Sequence, residues 1–392
     1  MARNLPVLMA AQGFAQTGHT VVILLGGIVG TVIAPAPEMA TLPVAMLFIG
    51  VALFSIPASM IMARYGRKLG FIAGVAIGTC AALGAAWAVS SSSFWAFTFC
   101  TLFVGAHVSF AQQYRFAVTE SVPAERAPLA ISMVMLAGIV AAIVGPETAK
   151  RAKDLFEVEY AGSFVGLAVL LGCGLLVLLF YVEADPAVEE AGGEERPLGT
   201  IFRLPAFLLA LGASAAAYGI MSFVMTATPV SMHMERAMTL EETTFVIQSH
   251  IAAMYLPSVA SGFLTQKLGT IRVILCGLAL MCACVGIGLA DQSLMHYWFA
   301  LVLLGVGWNL LFLGGTTLLT AVYRPSERFK VQAVNDFSIF SLQAAGALSS
   351  GAVIHALGWD AVMWLSLPWL AILLPVLLWY RRQGDVEGAV PG

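Results

Sequence analysis

Charge is what this chain has least of. Only 10% of its 392 residues are Asp, Glu, Lys or Arg, where a water-soluble domain carries roughly a quarter. A surface that faces water cannot be built from so little charge. No basic stripe is present for a nucleic acid, and the net charge of -3 favours no partner by sign. The six cysteines (Cys80, Cys100, Cys173, Cys276, Cys282, Cys284) all sit within apolar runs, which excludes a disulfide scaffold. Cys282 and Cys284 are two apart and leave a helix in different directions, so they form no thiol pair. Strict alternation of apolar and polar residues is missing, and a β-barrel with it. A phosphate-binding glycine loop is also missing, which argues against an ATP-driven pump. No nucleophile, base or metal-ligand set converges: no two histidines share a helix at ligand spacing. An enzyme, a cofactor and a metal site are therefore not expected.

What is present is hydrocarbon. The chain is 60% hydrophobic, with a mean hydropathy of +0.90, and its apolar runs reach the roughly 20 residues that cross a bilayer. Run lengths and polar breaks predict an all-α polytopic protein of twelve spans, at 5–33, 41–64, 70–90, 93–118, 127–149, 161–183, 203–230, 241–266, 271–290, 295–322, 331–356 and 360–381. The first run begins at Leu5 and continues past Gly30, too long for a signal peptide, so it reads as a retained span. The longest polar stretch, with Glu189, Glu190, Glu194, Glu195 and Pro197, reads as a solvated acidic linker. It divides the chain into a six-helix bundle at 1–183, a linker at 184–202, a second six-helix bundle at 203–382 and a tail at 383–392.

Lys and Arg fix an orientation. With the N-terminus inside, Arg3, Arg64, Arg67, Lys68, Arg115, Arg126, Arg196, Arg203, Lys267, Arg272, Arg324, Arg328, Lys330, Arg381 and Arg382 fall on the inner side. Only Lys150, Arg151, Lys153 and Arg236 fall outside. That asymmetry predicts both termini in the cytoplasm of a bacterial inner membrane.

Two pairs of loops repeat at nearly constant offset. Ser59 to Gly66 matches Gly262 to Gly269, and Pro123-Ala124-Glu125-Arg126 matches Pro325-Ser326-Glu327-Arg328. Duplicated six-helix halves are a transporter plan. The basic turn Ala63-Arg64-Tyr65-Gly66-Arg67-Lys68 resembles the turn between helices two and three of the major facilitator superfamily, Gly-x-Leu-x-Asp-Arg-x-Gly-Arg-Lys. Arg64, Gly66, Arg67 and Lys68 match; Ser59, Ile61 and Ala63 replace the Gly, Leu and Asp. The second copy keeps Gly262, Leu264, Lys267 and Gly269, with Gln266 at the acidic position. Gly145-Pro146 matches part of the family's helix-five signature, which in the family accompanies export. The resemblance spans essentially the whole chain. It implies two six-helix bundles and secondary transport of a small solute by alternating access, with a lean to efflux.

In that family the turn's carboxylate helps to hold the cytoplasmic side shut against helix eleven. Ala63 cannot do so. Asp336, the only acid within the 331–356 span, is the candidate replacement, with Arg64, Arg67 or Arg115 as its partner. A helix N-terminal Asp can equally satisfy orphan amides. Arg115 has Glu120 nearby as a further partner, and Lys68 and Arg126 complete the gate candidates.

Polar groups inside the spans are costly in hydrocarbon and mark candidate function. Gln12, Gln16 and His19 share one face of the first span, as His107 and Tyr114 do in the fourth. Tyr218 and Ser222, then Gln248 and Tyr255, align in the seventh and eighth. Trp308 and Asn309 lie in the tenth, and Gln343 lies on the face of Asp336 in the eleventh. Such a lining, aromatic and nearly uncharged, predicts a neutral or aromatic solute, with uptake of a vitamin such as riboflavin as one alternative. Glu147 is either a protonatable coupling group or the partner of Lys150 or Arg151. His19, His107 and His250 are the other groups able to handle a proton. The expected partners are a small molecule, protons and the lipid bilayer, for a monomer that binds no nucleic acid. A non-transporting membrane sensor or scaffold is the alternative of another class.

Overall fold

In the computed structural model the described residues are 4–36, 39–40, 42–183, 195–232 and 236–382. The linker residues 184–194, the tail 383–392 and Arg3 lie outside them. Among the described residues the secondary structure is helical. The first half holds α1 (Asn4–Ile33), α2 (Leu42–Tyr65), α3 (Arg67–Ser90), α4 (Phe94–Ala111), α5 (Tyr114–Thr119), α6 (Ala127–Leu136), α7 (Gly138–Ala152) and α8 (Ala161–Leu178). A single turn at Leu198–Ile201 opens the second half. After it come α9 (Pro205–Val230), α10 (Leu240–Tyr255), α11 (Ser258–Leu268), α12 (Thr270–Ala290), α13 (Leu294–Val322) and α14 (Arg328–Arg382).

Among the described residues ten helical segments, with α4 and α5 counted together and α6 and α7 counted together, are long and apolar enough to cross a membrane. Two features separate that number from twelve spans. α14 is two helices that meet at a kink at Gly358, whose φ of 76° leaves the helical region, so it contains both of the last two expected spans. The expected 241–266 span is broken between α10 and α11 at Pro257, whose ring has no N–H to continue the ladder. Beside the break, the Met254 carbonyl accepts a 2.8 Å hydrogen bond from the Asn309 side-chain amide of α13. In hydrocarbon an unsatisfied carbonyl costs several kcal/mol, so a broken span needs such a partner. A smaller interruption at Gln112-Gln113 separates α4 from α5, where the Gln113 N–H donates to Phe110 rather than to the residue four back.

Large apolar side chains cover the outside: Trp87, Phe99, Ile143, Val259 and Trp364 are all more than half exposed. A soluble monomer rarely carries so much exposed hydrocarbon, and here lipid is the solvent. Between helices, glycine permits close crossing. A Cβ on Gly50 of α2 would lie 2.1 Å from the Leu102 carbonyl of α4, and one on Gly105 of α4 would lie 2.1 Å from the Leu47 carbonyl. Small residues at crossings are how helices pack without a hydrophobic driving force.

The chain forms two compact units. The first comprises Met1–Ala191 with Phe329–Ala344, and the second comprises Gly192–Arg328 with Ala345–Gly392. In the first, α2 and α3 pack on α4, and α1 packs on α7 and α8. In the second, α9, α10 and α12 all pack on α13. The opening part of α14 belongs to the first unit, and this places Asp336 among the helices of the N-terminal half.

The duplicated turns share one backbone. Gly66 has φ 85° and ψ 160°; Gly269 has φ 85° and ψ 150°. Both angles lie where glycine alone is unstrained. The second pair of repeated loops likewise forms one short 3-10 turn in each half, Ala124–Arg126 and Pro325–Glu327.

Candidate functional site

The first unit buries a charged cluster at the end that carries the basic turn. Arg67, 1% exposed, directs its guanidinium at Glu120, donating through Nε at 2.7 Å and through Nη2 at 2.5 Å. Nη2 also donates to Gln332 Oε1 at 3.0 Å, and the guanidinium lies 4.9 Å from the Phe329 ring centre. Arg115 donates to Asp336 and, at 2.9 Å, to Gln112 Oε1. Its guanidinium covers the Phe116 ring at 4.5 Å. Gln113 stands between the two ion pairs. Its Nε2 donates to Asp336 Oδ2 at 2.9 Å, and its Oε1 accepts from Arg67 Nη1 at 3.5 Å. Asn335 supplies Asp336 with one more donor, at 3.0 Å.

Two arginines and two carboxylates balance the cluster's charge. That balance decides whether it can be buried, because one unpaired ion costs several kcal/mol and a matched, hydrogen-bonded pair can break even. Among the described residues only Asp336 and Glu327 are buried carboxylates. Glu327 belongs to the second unit. It accepts from the Arg196 backbone N–H and Nε at 2.8 Å each, from Arg196 Nη2 at 2.6 Å, and from the Arg324 N–H at 2.9 Å. The Glu327 carboxylate holds the Arg196 guanidinium above its usual pKa.

The remaining gate candidates lie outside the cluster. Arg64 is exposed and rests over the Tyr65 ring at 5.4 Å. Lys68 donates to the Leu179 carbonyl at 2.8 Å. Arg126 is exposed on its 3-10 turn. Glu147 forms an exposed 2.6 Å pair with Arg151, one turn along α7, and Gly145 just before it faces Thr17 and Thr20 of α1.

The cavity candidates divide by unit. In the first, Gln12 is buried and Gln16 half-buried on α1, and His19 meets Phe48 edge-on at 5.8 Å. His107 is fully buried, with Nδ1 3.0 Å from the Gly74 carbonyl. Tyr114 packs edge-on against Phe71 at 4.7 Å, inside the bundle. Gln343 is buried.

In the second unit an aromatic assembly forms around Trp308. Tyr218 meets its ring edge-on at 5.3 Å and Tyr255 at 5.9 Å, and Phe312 stacks on it at 5.4 Å. The Trp308 indole N–H is buried with no hydrogen-bond acceptor among the described residues. Buried indole N–H groups ordinarily find one. Ser222 is buried on α9, and His250 is buried with Nδ1 2.8 Å from the Leu301 carbonyl. Gln248 is exposed on α10, apart from this assembly. Asn309 commits its amide donors to Met254 and, at 2.7 Å, to Ser258 Oγ. Its Oδ1 is buried without a donor among the described residues.

Gln113, Gln332, Asn335 and Glu183 were not singled out from the sequence as site residues. All but Asn335 have partners far away along the chain: 116 residues separate Arg67 from Glu183, 265 separate Arg67 from Gln332, and 223 separate Gln113 from Asp336. Local spacing carries no signal at that range. The one available sign was the clustering of Gln332, Asn335 and Asp336 at i, i+3 and i+4 at the start of an apolar span.

The Major Facilitator Superfamily family model matches residues 7–254 and 238–391. The riboflavin transporter RfnT of Brucella anthropi is 37% identical over 397 residues, covering 99% of this chain and 98% of its own. The uncharacterized MFS-type transporter YddS of Bacillus subtilis is 29% identical, covering 97% of this chain and 91% of its own. Among solved structures, the proton:xylose symporter XylE superposes with a TM-score of 0.77 at 12% identity, over 99% of this chain and 95% of that one. A bacterial homologue of the iron transporter ferroportin in its outward-facing state gives 0.74 at 14% identity, over 97% and 100%. The match from residue 7 to residue 391, the duplicated turns and the apolar helices lead to one conclusion: the chain belongs to the Major Facilitator Superfamily and is an integral, multi-pass membrane transporter rather than an enzyme.

Proposed function

We propose that this transporter takes up a small, neutral, ring-bearing solute by alternating access, driven by protons, with riboflavin as the first compound to test. The observation that carries the reading is the aromatic assembly of Tyr218, Tyr255, Trp308 and Phe312, whose buried indole N–H has no acceptor among the described residues. A heteroaromatic ring offers both the face that such side chains pack against and a lone pair for that N–H. The 37% identity to a riboflavin transporter over nearly the full length of both chains points the same way. Gly145-Pro146, the sequence hint of efflux, lies where α7 packs on α1, and packing accounts for it.

In this reading Asp336 handles the proton. Ionised, it accepts from Arg115, Gln113 and Asn335 and holds the cluster together. Protonated, it loses the charge that offsets Arg115, and the guanidinium is released. The protein would work as a monomer in the bacterial inner membrane with both termini cytoplasmic, as the basic residues around Arg64–Lys68 and Arg324–Lys330 favour.

The test is counterflow of radiolabelled riboflavin into liposomes containing the purified protein, with and without a pH gradient. Saturable counterflow, and accumulation that follows the gradient, are expected. Trp308→Phe keeps most of the packing but removes the N–H, and should raise KM about fivefold, the worth of ~1 kcal/mol. Absence of saturable counterflow would overturn the substrate assignment. Counterflow without any response to the gradient would overturn the coupling.

A further inference from the structure

The turn that lacks its own acid receives one from elsewhere. Glu183 follows α8 and immediately precedes the linker, and its carboxylate lies against the first residues of α3. Oε1 accepts from the Arg67 backbone N–H at 2.7 Å, and Oε2 accepts from the Lys68 N–H at 2.9 Å. The first N–H groups of a helix have no partner within it, and a carboxylate satisfies both their hydrogen bonding and the helix dipole. No side chain adjoining α3 in sequence does this, because its N-cap is Gly66 and Ala63 is an exposed methyl group.

Two further contacts fasten the same segment. Lys68 Nζ donates to the Leu179 carbonyl at 2.8 Å. Asn4 of α1 engages both backbone groups of Val182: Nδ2 donates to its carbonyl at 2.8 Å, and Oδ1 accepts from its N–H at 3.1 Å. The Asn4 amide also donates to Ser121 Oγ at 2.9 Å, next to Glu120 in the chain. The carboxylate at the root of the linker thus sits on the backbone of Arg67, the residue whose guanidinium binds Glu120 and Gln332.

We propose that Glu183 caps the start of α3 at the turn that has no acid of its own, a role separate from that of Asp336. It is a positioning residue: it fixes the start of α3, and through it the aim of Arg67, and it ties the onset of the linker to the gate cluster. The inference rests on the transporter reading but not on any substrate, so its test needs none.

Glu183→Ala removes the carboxylate, and Glu183→Gln keeps the shape while one of its two acceptors becomes a donor facing an N–H. Hydrogen exchange of the 66–70 amides in nanodisc-embedded protein should quicken about tenfold or more in both, with the rest of α3 unchanged. In a cysteine-less chain, spin labels at Glu125→Cys and Arg272→Cys report the balance of transport conformations, and each Glu183 variant should shift their distance distribution. Unchanged exchange would show that the carboxylate does not cap α3. Faster exchange with an unchanged distance distribution would show a cap without influence on the cycle. Either result overturns the proposal, whether or not riboflavin is transported.

Discussion

The turns at Gly66 and Gly269 have almost the same backbone and opposite chemistry. Each glycine holds φ at 85°, and each is followed at once by a membrane helix. After Gly66 come Arg67 and Lys68, with Glu183, Glu120, Gln113 and Gln332 gathered around them. After Gly269 come Thr270 and Ile271. The repeat offset carries Arg115 to Thr317 or Leu318, and Glu120 to Val322 or Tyr323, so the second half has no copy of either ion pair. Its own arginine–carboxylate knot, Arg196 with Glu327, uses the other repeated loop and the end of the linker. Duplication preserved the geometry that glycine dictates. Charge was then placed separately in each half, and a half can lose it without losing the turn.

The largest effect should come from unbalancing the cluster. Arg115→Met leaves Asp336 buried without its counter-ion and should cost about 3–5 kcal/mol in thermal or denaturant unfolding. Arg115→Met with Asp336→Leu removes both charges and should recover most of that loss. If the double variant unfolds as readily as the single one, the pair is not the unit that matters. Next come the two arginine forks. Arg67→Lys and Arg196→Lys each replace a two-pronged carboxylate contact by a point charge, at about 1.5–3 kcal/mol. Similar losses are expected at the two sites, but only Arg67→Lys should slow transport. Equal slowing would erase the distinction between the halves.

The glycines test the shared backbone itself. Gly66→Ala and Gly269→Ala each force a side chain into a glycine-only region, at about 1–3 kcal/mol. Gly66→Ala should be the worse, since its Cβ would lie 3.2 Å from Glu183 Oε2. The smallest effect belongs to the exposed Glu147–Arg151 pair, where Glu147→Gln should change stability by less than about 0.5 kcal/mol. The pH dependence of transport should also be unchanged; its collapse would move proton handling from Asp336 to Glu147.

Much of the architecture can be read in the chain because its signals are local. A span of apolar residues, a proline or a glycine acts within a few residues of itself. The helices and the repeated turns therefore follow from sequence. The break at Pro257 was not anticipated, because apolar residues continue through it; its compensation by Asn309 comes from another helix, 55 residues away. Asp336 stood out by being the only acid in its span, with Arg64, Arg67 and Arg115 all open as partners. The structure pairs it with Arg115 and commits Arg67 to Glu120 instead. Which arginine takes which acid depends on helix packing, and composition does not contain it.

Gln113 has a consequence for how this sequence can change. Its amide accepts on the side of Arg67 and donates on the side of Asp336. It thereby joins two ion pairs, neutral at every pH and with a fixed direction. Glutamate there would bring a third acid to a balanced cluster, leucine would strand both neighbours, and asparagine is one methylene shorter. Positions 67, 113, 115, 120 and 336 are thus not free to drift one at a time. In an alignment of relatives they should co-vary as a block, and a chain with an apolar residue at position 113 should also have lost one of the two charge pairs.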